Sequence, residues 1–353
     1  MGIQIPEDAV LVYGSTGFTG RLIIAEAVRR QLPVILGGRG ESVRHQARDL
    51  GLPFRVFAVE SPEARVALRG CRALLNCAGP FSHTAAPLVD VCLDAGVHYL
   101  DINGEVEVFE ALAAGDPVAR DAGVMVLPGV GFDVVPTDCL AAHLLRRCPA
   151  ATRLTLAFRI EGLVSRGTLL SMLENVGRAG LERRNGILEA VEPGGREMVV
   201  DFGEGPVQAL QVAWGDLSTA YRSTAIRDIQ VYAAPSPGWR WILRLTAHLG
   251  RPLAKRWAQN LLRPLVALAP EGPSAEARSR GGSAVWGRVE TDSGQVATAR
   301  LTGPQPHDLT AQAAVAAAAR VLAGDGAPGF QTPSMAFGPD FVLGLRGVTR
   351  IDL

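Results

Sequence analysis

The chain has 353 residues, enough for two domains at roughly 150 residues each. Hydrophobic residues make up 48% and charged residues 20%, the balance of a packed globular protein rather than a disordered one. Basic and acidic residues number 35 each, so no net positive field argues for nucleic-acid binding.

Five cysteines (Cys71, Cys77, Cys92, Cys139 and Cys148) are scattered, with no Cys-x-x-Cys pair and no histidine at ligand spacing. That pattern predicts neither a metal site nor a disulfide framework. No basic-then-apolar leader opens the chain and no apolar run reaches about 18 residues, so a soluble protein of the cytoplasm is expected. Lys255 is the only lysine. A Gly-Lys-Ser/Thr phosphate loop and a Tyr-x-x-x-Lys catalytic pair are therefore excluded.

Residues 9–13 form a short apolar run, followed by Gly14-Ser-Thr-Gly17-Phe-Thr-Gly20. Leu22, Ile23, Ile24, Ala27 and Val28 then recur at helical spacing, which gives strand, tight turn and helix. Further strands are predicted at 34–36, 54–59, 73–77, 97–101 and 124–127, with a helix over 85–95. Strands alternating with helices imply right-handed crossovers and a parallel sheet.

After Pro149 the rhythm changes. A strand is predicted at 152–158, a long helix over 168–184, and alternating strands at 207–214 and 226–233. Residues 283–292 and 295–301 flank Ser293-Gly294, a hairpin signal. Pro270 to Gly282 reads as a loop, and Leu309 to Ala323 as an alanine-rich helix. The expected architecture is α/β. A Rossmann doubly wound parallel sheet occupies 1–149, and an α+β domain on a mostly antiparallel sheet, for substrate or dimerisation, occupies 150–305. A C-terminal segment, 306–353, packs back on the first domain.

The glycine turn has the context of a dinucleotide site: strand before it, helix after it. Gly14 permits the tight turn, Gly17 lets amides approach a pyrophosphate at the positive helix end, and Gly20 lets helix and strand pack closely. Ser15, Thr16, Phe18 and Thr19 complete that turn, with a Ser15 hydroxyl available to the phosphates. The second strand ends in Gly37-Gly38-Arg39, where an NAD enzyme offers a carboxylate. A guanidinium there suits the 2′-phosphate, so NADPH is the expected cofactor. Asn76, Ala78, Gly79 and Pro80 follow the fourth strand and are assigned to cofactor binding. The nicotinamide half then lies over strands four to six, where Asn76–His83, Tyr99–Glu105 and Gly129–Asp138 converge. Hydride delivery needs a proton donor or charge stabiliser nearby, and Tyr99, Asp101, Glu105 and Asp133 are the candidates. His98 alternates away from Tyr99 and Cys77 is apolar in context, so both read as structural. Thr137 and Asp138 are also open to a helix-capping role.

These motifs, with Asn76-Cys-Ala-Gly79-Pro80-Phe81, Tyr99-Leu-Asp101-Ile-Asn-Gly104-Glu105, Pro128-Gly-Val-Gly-Phe-Asp133-Val-Val-Pro136-Thr-Asp138 and Gly329-Phe-Gln-Thr-Pro333-Ser-Met-Ala-Phe-Gly338-Pro-Asp340, resemble the saccharopine dehydrogenase-like oxidoreductases. Within that group the chain is most similar to the trans-acting enoyl reductase branch. The resemblance spans nearly the whole chain and is weakest over about 185–280. It implies an NADPH-dependent reductase, of C=C bonds on lipid-like or thioester-bound chains or of C=N bonds in saccharopine-type chemistry. A cofactor-binding sensor or scaffold without chemistry is the non-enzymatic alternative.

One stretch is left over. Between Asp228 and Glu271 no acidic residue occurs, and Arg240, Arg244, His248, Arg251 and Lys255 form a basic stripe beside Trp241, Ile242, Leu245 and Leu249. Residues 239–268 suit a peripheral membrane contact. They equally suit domain packing or a homodimer interface.

Overall fold

The computed structural model of the chain describes residues 8–162, 165–175, 180–191, 196–235 and 261–353, apart from 263, 265 and 267. Two compact units result. The first comprises the chain up to Cys139 together with His307–Leu345; the second comprises Leu140–Pro306 together with Arg346–Leu353.

The first unit is built on a parallel sheet. Its strands are β1 (Ala9–Tyr13), β2 (Val34–Gly38), β3 (Phe54–Val56), β4 (Cys71–Asn76), β5 (His98–Asp101), β6 (Met125–Leu127) and β15 (Gly329–Phe330). Their order is β15-β6-β5-β4-β1-β2-β3, every pairing parallel. Every residue of β1 is at most 3% exposed, as expected of a strand covered on both faces. Helices α1 (Phe18–Arg29), α2 (Ser42–Leu50), α3 (Glu63–Ala67), α4 (Phe81–Ala95), α5 (Val106–Ala114), α6 (Asp116–Asp121) and the start of α7 (Val135–Arg147) join the strands. Leu11, Ile35, Leu74, Tyr99, Phe109 and Phe330 share one core. The chain winds from β1 outward to β3, then crosses to β4 and winds the other way. The switch point therefore lies between β1 and β4, where this architecture opens its ligand crevice. The register levels Tyr13 with Gly37 and Asn76, and Asn76 with Asp101, in one row at the carboxyl edge.

The second unit carries a mixed sheet, in the order β10-β11-β12-β7-β13-β14-β16, with β8 attached at β12 and β9 paired to β8. These strands are β7 (Arg153–Ile160), β8 (Gly180–Arg184), β9 (Ile187–Val191), β10 (Glu197–Asp201), β11 (Pro206–Gln211), β12 (Asp228–Ala234), β13 (Gly282–Glu290), β14 (Val296–Pro304) and β16 (Thr349–Asp352). β12 and β7 run parallel and the other pairs antiparallel. Helices α8 (Arg166–Asn175), α9 (Asp216–Thr224) and α10 (Ala275–Arg280) belong here. Gly287 leaves room for α7, since a Cβ there would lie 2.8 Å from Leu144 and 3.1 Å from Leu140. The chain ends with α11 (Pro306–Leu322) and α12 (Pro333–Phe337) before β16.

Five sequence expectations change. Of the helix expected over 168–184, the described part is α8 (Arg166–Asn175), and Gly180–Arg184 is strand β8 instead, turned into β9 at Asn185 (φ 50°) and Gly186 (φ 83°). The loop expected over 270–282 contains α10, capped by the Ser274 hydroxyl, which accepts from the Ala277 amide at 3.2 Å. The parallel sheet gains a seventh strand, β15, from the C-terminal segment. That segment's last residues pair instead with β14, where Asp352 meets His143 at 2.8 Å and Arg147 at 3.1 Å. Residues 140–149, expected with the first domain, fall in the second unit. Most of the basic stretch 239–268 lies outside the described residues. Among the described residues no helix is long and apolar enough to cross a membrane.

Candidate active site

The turn after β1 is shaped by close approach. Gly14 has φ +83°, and a Cβ there would lie 2.9 Å from the Ala78 amide nitrogen. The β1–α1 turn therefore lies directly against the β4–α4 loop. A Cβ at Gly20 would collide with the Gly14 carbonyl, so only glycine lets α1 start this close to β1. α1 begins at an extended Gly17 with no side-chain cap and no acidic residue in its first turn. Its leading amides and the positive end of its dipole are thus offered to an anion. Thr16, Phe18 and Thr19 are half-buried around that opening, and Gly17 is exposed. Arg39 follows β2, exposed, and makes no ion pair among the described residues; its charge reaches Tyr13. Gly38 is buried, with space for a Cβ closed by Val43 at 2.9 Å. Together these features fit a 2′-phosphorylated dinucleotide: diphosphate on α1, ribose phosphate beside Arg39.

Ser15 departs from expectation. It is fully buried and its hydroxyl donates to Gln46 Oε1 at 2.9 Å, while Gln46 Nε2 donates to the Ser15 carbonyl at 3.0 Å. The hydroxyl is committed to α2 and fixes the turn instead of facing phosphate.

A buried polar cluster organises the other side of the switch point. Tyr99 has no exposed surface; its hydroxyl donates to Asp101 Oδ2 at 2.9 Å and accepts from Asn76 Nδ2 at 3.2 Å. Asp101 Oδ1 accepts from the Asn103 amide at 2.9 Å and the Gly129 amide at 2.8 Å. Asn76 Oδ1 accepts from the Ala78 amide at 3.0 Å, and its Nδ2 also reaches Thr84 Oγ1 at 3.0 Å. Thr84 in turn donates to the Ala78 carbonyl at 2.7 Å. Three side chains thereby tie the loops after β4, β5 and β6 to one another. Burial pushes the Asp101 carboxyl up to about 6, against the pull of its amide donors. Burial, then Asp101, raises the Tyr99 hydroxyl well above the ordinary tyrosine range.

Glu105 also does structural work. Its carboxylate accepts from the Phe81 amide at 3.0 Å and the Ser82 amide at 3.2 Å, the first two donors of α4. Pro80 precedes them without a side-chain cap, so Glu105 supplies the anion that end of the helix requires. Its own amide donates to Asn103 Oδ1 at 2.7 Å. Asp133 is half-buried on the loop after β6, and a Cβ at Gly104 would lie 2.7 Å from its Oδ2. Burial pushes the Asp133 carboxyl up to about 6.

The four catalytic candidates thus separate. Tyr99 and Asp101, expected to face substrate, are interior groups whose donors and acceptors are engaged in holding loops. Glu105 and Asp133 stay half-buried at the rim, with Ala78 and Pro80 half-buried and Gly79 exposed beside them. His98 is structural, as expected: its Nδ1 accepts from the Met125 amide at 3.0 Å. Burial raises the Cys77 thiol, in keeping with packing. Asp138 Oδ2 accepts from the Ser334 amide at 2.7 Å, in the first turn of α12. Among the described residues no cluster of His, Cys, Asp or Glu could hold a metal. Gln46, Thr84, Asn103, His307 and Thr310 were not legible in the sequence. Gln46 lies 31 residues from Ser15, and Thr310 lies 178 from Phe132, whose amide it accepts at 3.0 Å.

Fold and site define a Rossmann-type dinucleotide-binding domain of the oxidoreductase kind. Residues 10–127, about a third of the chain, match the saccharopine dehydrogenase NADP-binding domain, which supports NADP(H) as the cofactor. The chain is 31% identical to a probable mitochondrial saccharopine dehydrogenase-like oxidoreductase of Arabidopsis thaliana, over 38% of this chain and 34% of that protein. It is 30% identical to a trans-acting enoyl reductase of Mycobacterium ulcerans, over 40% of this chain and 36% of that one. The matches therefore cover about a third of these relatives' length. Saccharopine dehydrogenase (L-Glu forming) from Saccharomyces cerevisiae superposes with a TM-score of 0.66 at 12% identity, over 98% of this chain and 100% of that one, which shows a shared fold.

Proposed function

We propose that the protein is an NADPH-dependent reductase of an activated C=C bond, an enoyl group on a lipid-like or thioester-bound substrate. The observation that carries this reading is the charge of the rim. Residues 76–83, 99–105 and 129–138 bring the carboxylates of Glu105 and Asp133 to half-buried positions and contain no arginine or lysine. A reductase that joins keto acids to amines handles carboxylate groups, whose fit partner is a guanidinium. A rim of this composition favours a substrate that is uncharged at its reacting end. The mycobacterial relative's name points the same way.

The cofactor, when bound, supplies the hydride. Asp133, with its carboxyl near 6, is poised as the acid that delivers a proton to the carbon beside the one receiving hydride. Tyr99, Asp101 and Asn76 position the loops that carry it, and Arg39 selects the 2′-phosphate. The test is NADPH oxidation, followed at 340 nm, against enoyl thioesters and against keto-acid/amine pairs. Turnover of the enoyl thioesters alone supports the reading; turnover of the keto-acid/amine pairs alone replaces it with C=N reduction. Tight NADPH binding with neither activity points to a sensor.

A further inference from the structure

The first turn of α11 reaches both sides of the cofactor crevice. The His307 ring meets the Phe18 ring edge-on, with centroids 5.1 Å apart and planes at 84°. Phe18 is the first residue of α1, and its amide belongs to the uncapped turn open to a diphosphate. One helical turn further on, Thr310 Oγ1 accepts from the Phe132 amide at 3.0 Å, and its methyl occupies the space a Cβ at Gly131 would need, 3.0 Å away. His307 and Thr310 are three apart, hence on one face of α11. That single face touches the glycine turn after β1 and the loop after β6, and in the sheet these two strands bracket β4 and β5. The turn thus spans the stretch of crevice that runs from the diphosphate toward the nicotinamide.

His307 is 9% exposed, a polar ring held beside an anion site. An imidazole offers ring N–H donors, and a charged one adds a favourable field at a diphosphate. We propose that His307 is a cofactor-contacting residue that donates a hydrogen bond to the diphosphate of bound NADP(H). The sequence order conceals it, because His307 is almost three hundred residues from the glycine turn it completes.

Titration calorimetry on the full chain tests this with three ligands: NADPH, 2′-phospho-ADP-ribose and 2′-AMP. His307→Phe keeps a ring against Phe18 but removes both nitrogens. It should weaken NADPH and 2′-phospho-ADP-ribose roughly tenfold, the size of one charge-assisted bond, and leave 2′-AMP within about twofold. His307→Gln restores a donor and should recover part of the loss. The proposal fails if the Phe variant binds NADPH as tightly as the unsubstituted protein, if 2′-AMP weakens equally, or if Gln does no better than Phe. A second measurement needs no variant. The ring nitrogen resonances of His307 should shift on adding NADPH and stay put on adding 2′-AMP; no shift with NADPH overturns the assignment.

Discussion

Arg39 and Asp133 are the two charged side chains on which the proposed function rests, and each is open to a separate test. Arg39 stands exposed after β2, free of described ion pairs. Replacing it with Ala should cost NADPH about 1–3 kcal/mol of binding and leave NADH nearly unchanged, as titration of both cofactors would reveal. Equal losses would remove Arg39 from the 2′-phosphate site. On the proposed mechanism Asp133 would carry the pH dependence. As an acid it acts protonated, and its carboxyl lies near 6. Turnover should therefore be highest below that value and decline as pH rises through it. Asp133→Asn should lower kcat by ~10²–10⁴ and flatten this limb while NADPH still binds. An unchanged pH profile in the variant would show that the proton comes from elsewhere.

At the scale of elements, the loops after β4, β5 and β6 behave as one piece because Tyr99, Asp101 and Asn76 hold them. Tyr99→Phe removes a hydroxyl that both donates and accepts inside the core. It should cost about 1–3 kcal/mol in urea unfolding, since Asn76 and Asp101 each lose a partner. NADPH affinity and turnover should fall together, through loosened loops. A selective loss of turnover with intact stability would restore Tyr99 as a proton donor. The cluster was half legible. Asn76, Tyr99 and Asp101 stood out as polar residues ending apolar strands, but a pattern of alternation cannot tell a side chain aimed at a ligand from one aimed at the next loop. The same limit explains the helix expected through Arg184. Leu181 and Glu182 repeat the Leu173-Glu174 pair at a spacing a helix allows, whereas pairing of Gly180–Arg184 with β9 decides the conformation. Asn185-Gly186 was the available turn signal, both residues having positive φ.

For the whole molecule, burial of Asp101 sets a sign on stability. Its carboxyl rises from 3.8 to about 6 on folding, so the folded state holds that proton more tightly. Its contribution is fully present below pH 4 and is lost as pH rises through 6, a change of roughly 3 kcal/mol. Urea unfolding across pH 4 to 7 should show this decline together with a like one from Asp133, and Asp101→Asn should remove the Asp101 share, about half of the whole. A profile identical to that of the unsubstituted protein would mean Asp101 is ionised throughout.

What the sequence determined by itself is local. A strand, a Gly-x-x-Gly-x-x-Gly turn and a helix dictate a dinucleotide cradle, because only glycine tolerates the backbone approach and the positive φ at Gly14. Arg39 in place of an acid is the local signal for a 2′-phosphorylated cofactor. The alternation of strands and helices gives the parallel sheet. What the tertiary structure alone decided is which polar groups face inward. Ser15 turns to Gln46, Glu105 closes α4, and Tyr99 and Asp101 tie loops, while His307 arrives from the far end of the chain. Each choice depends on a partner tens to hundreds of residues away. Such partners are selected by packing and by the need to satisfy buried donors and acceptors, not by local spacing.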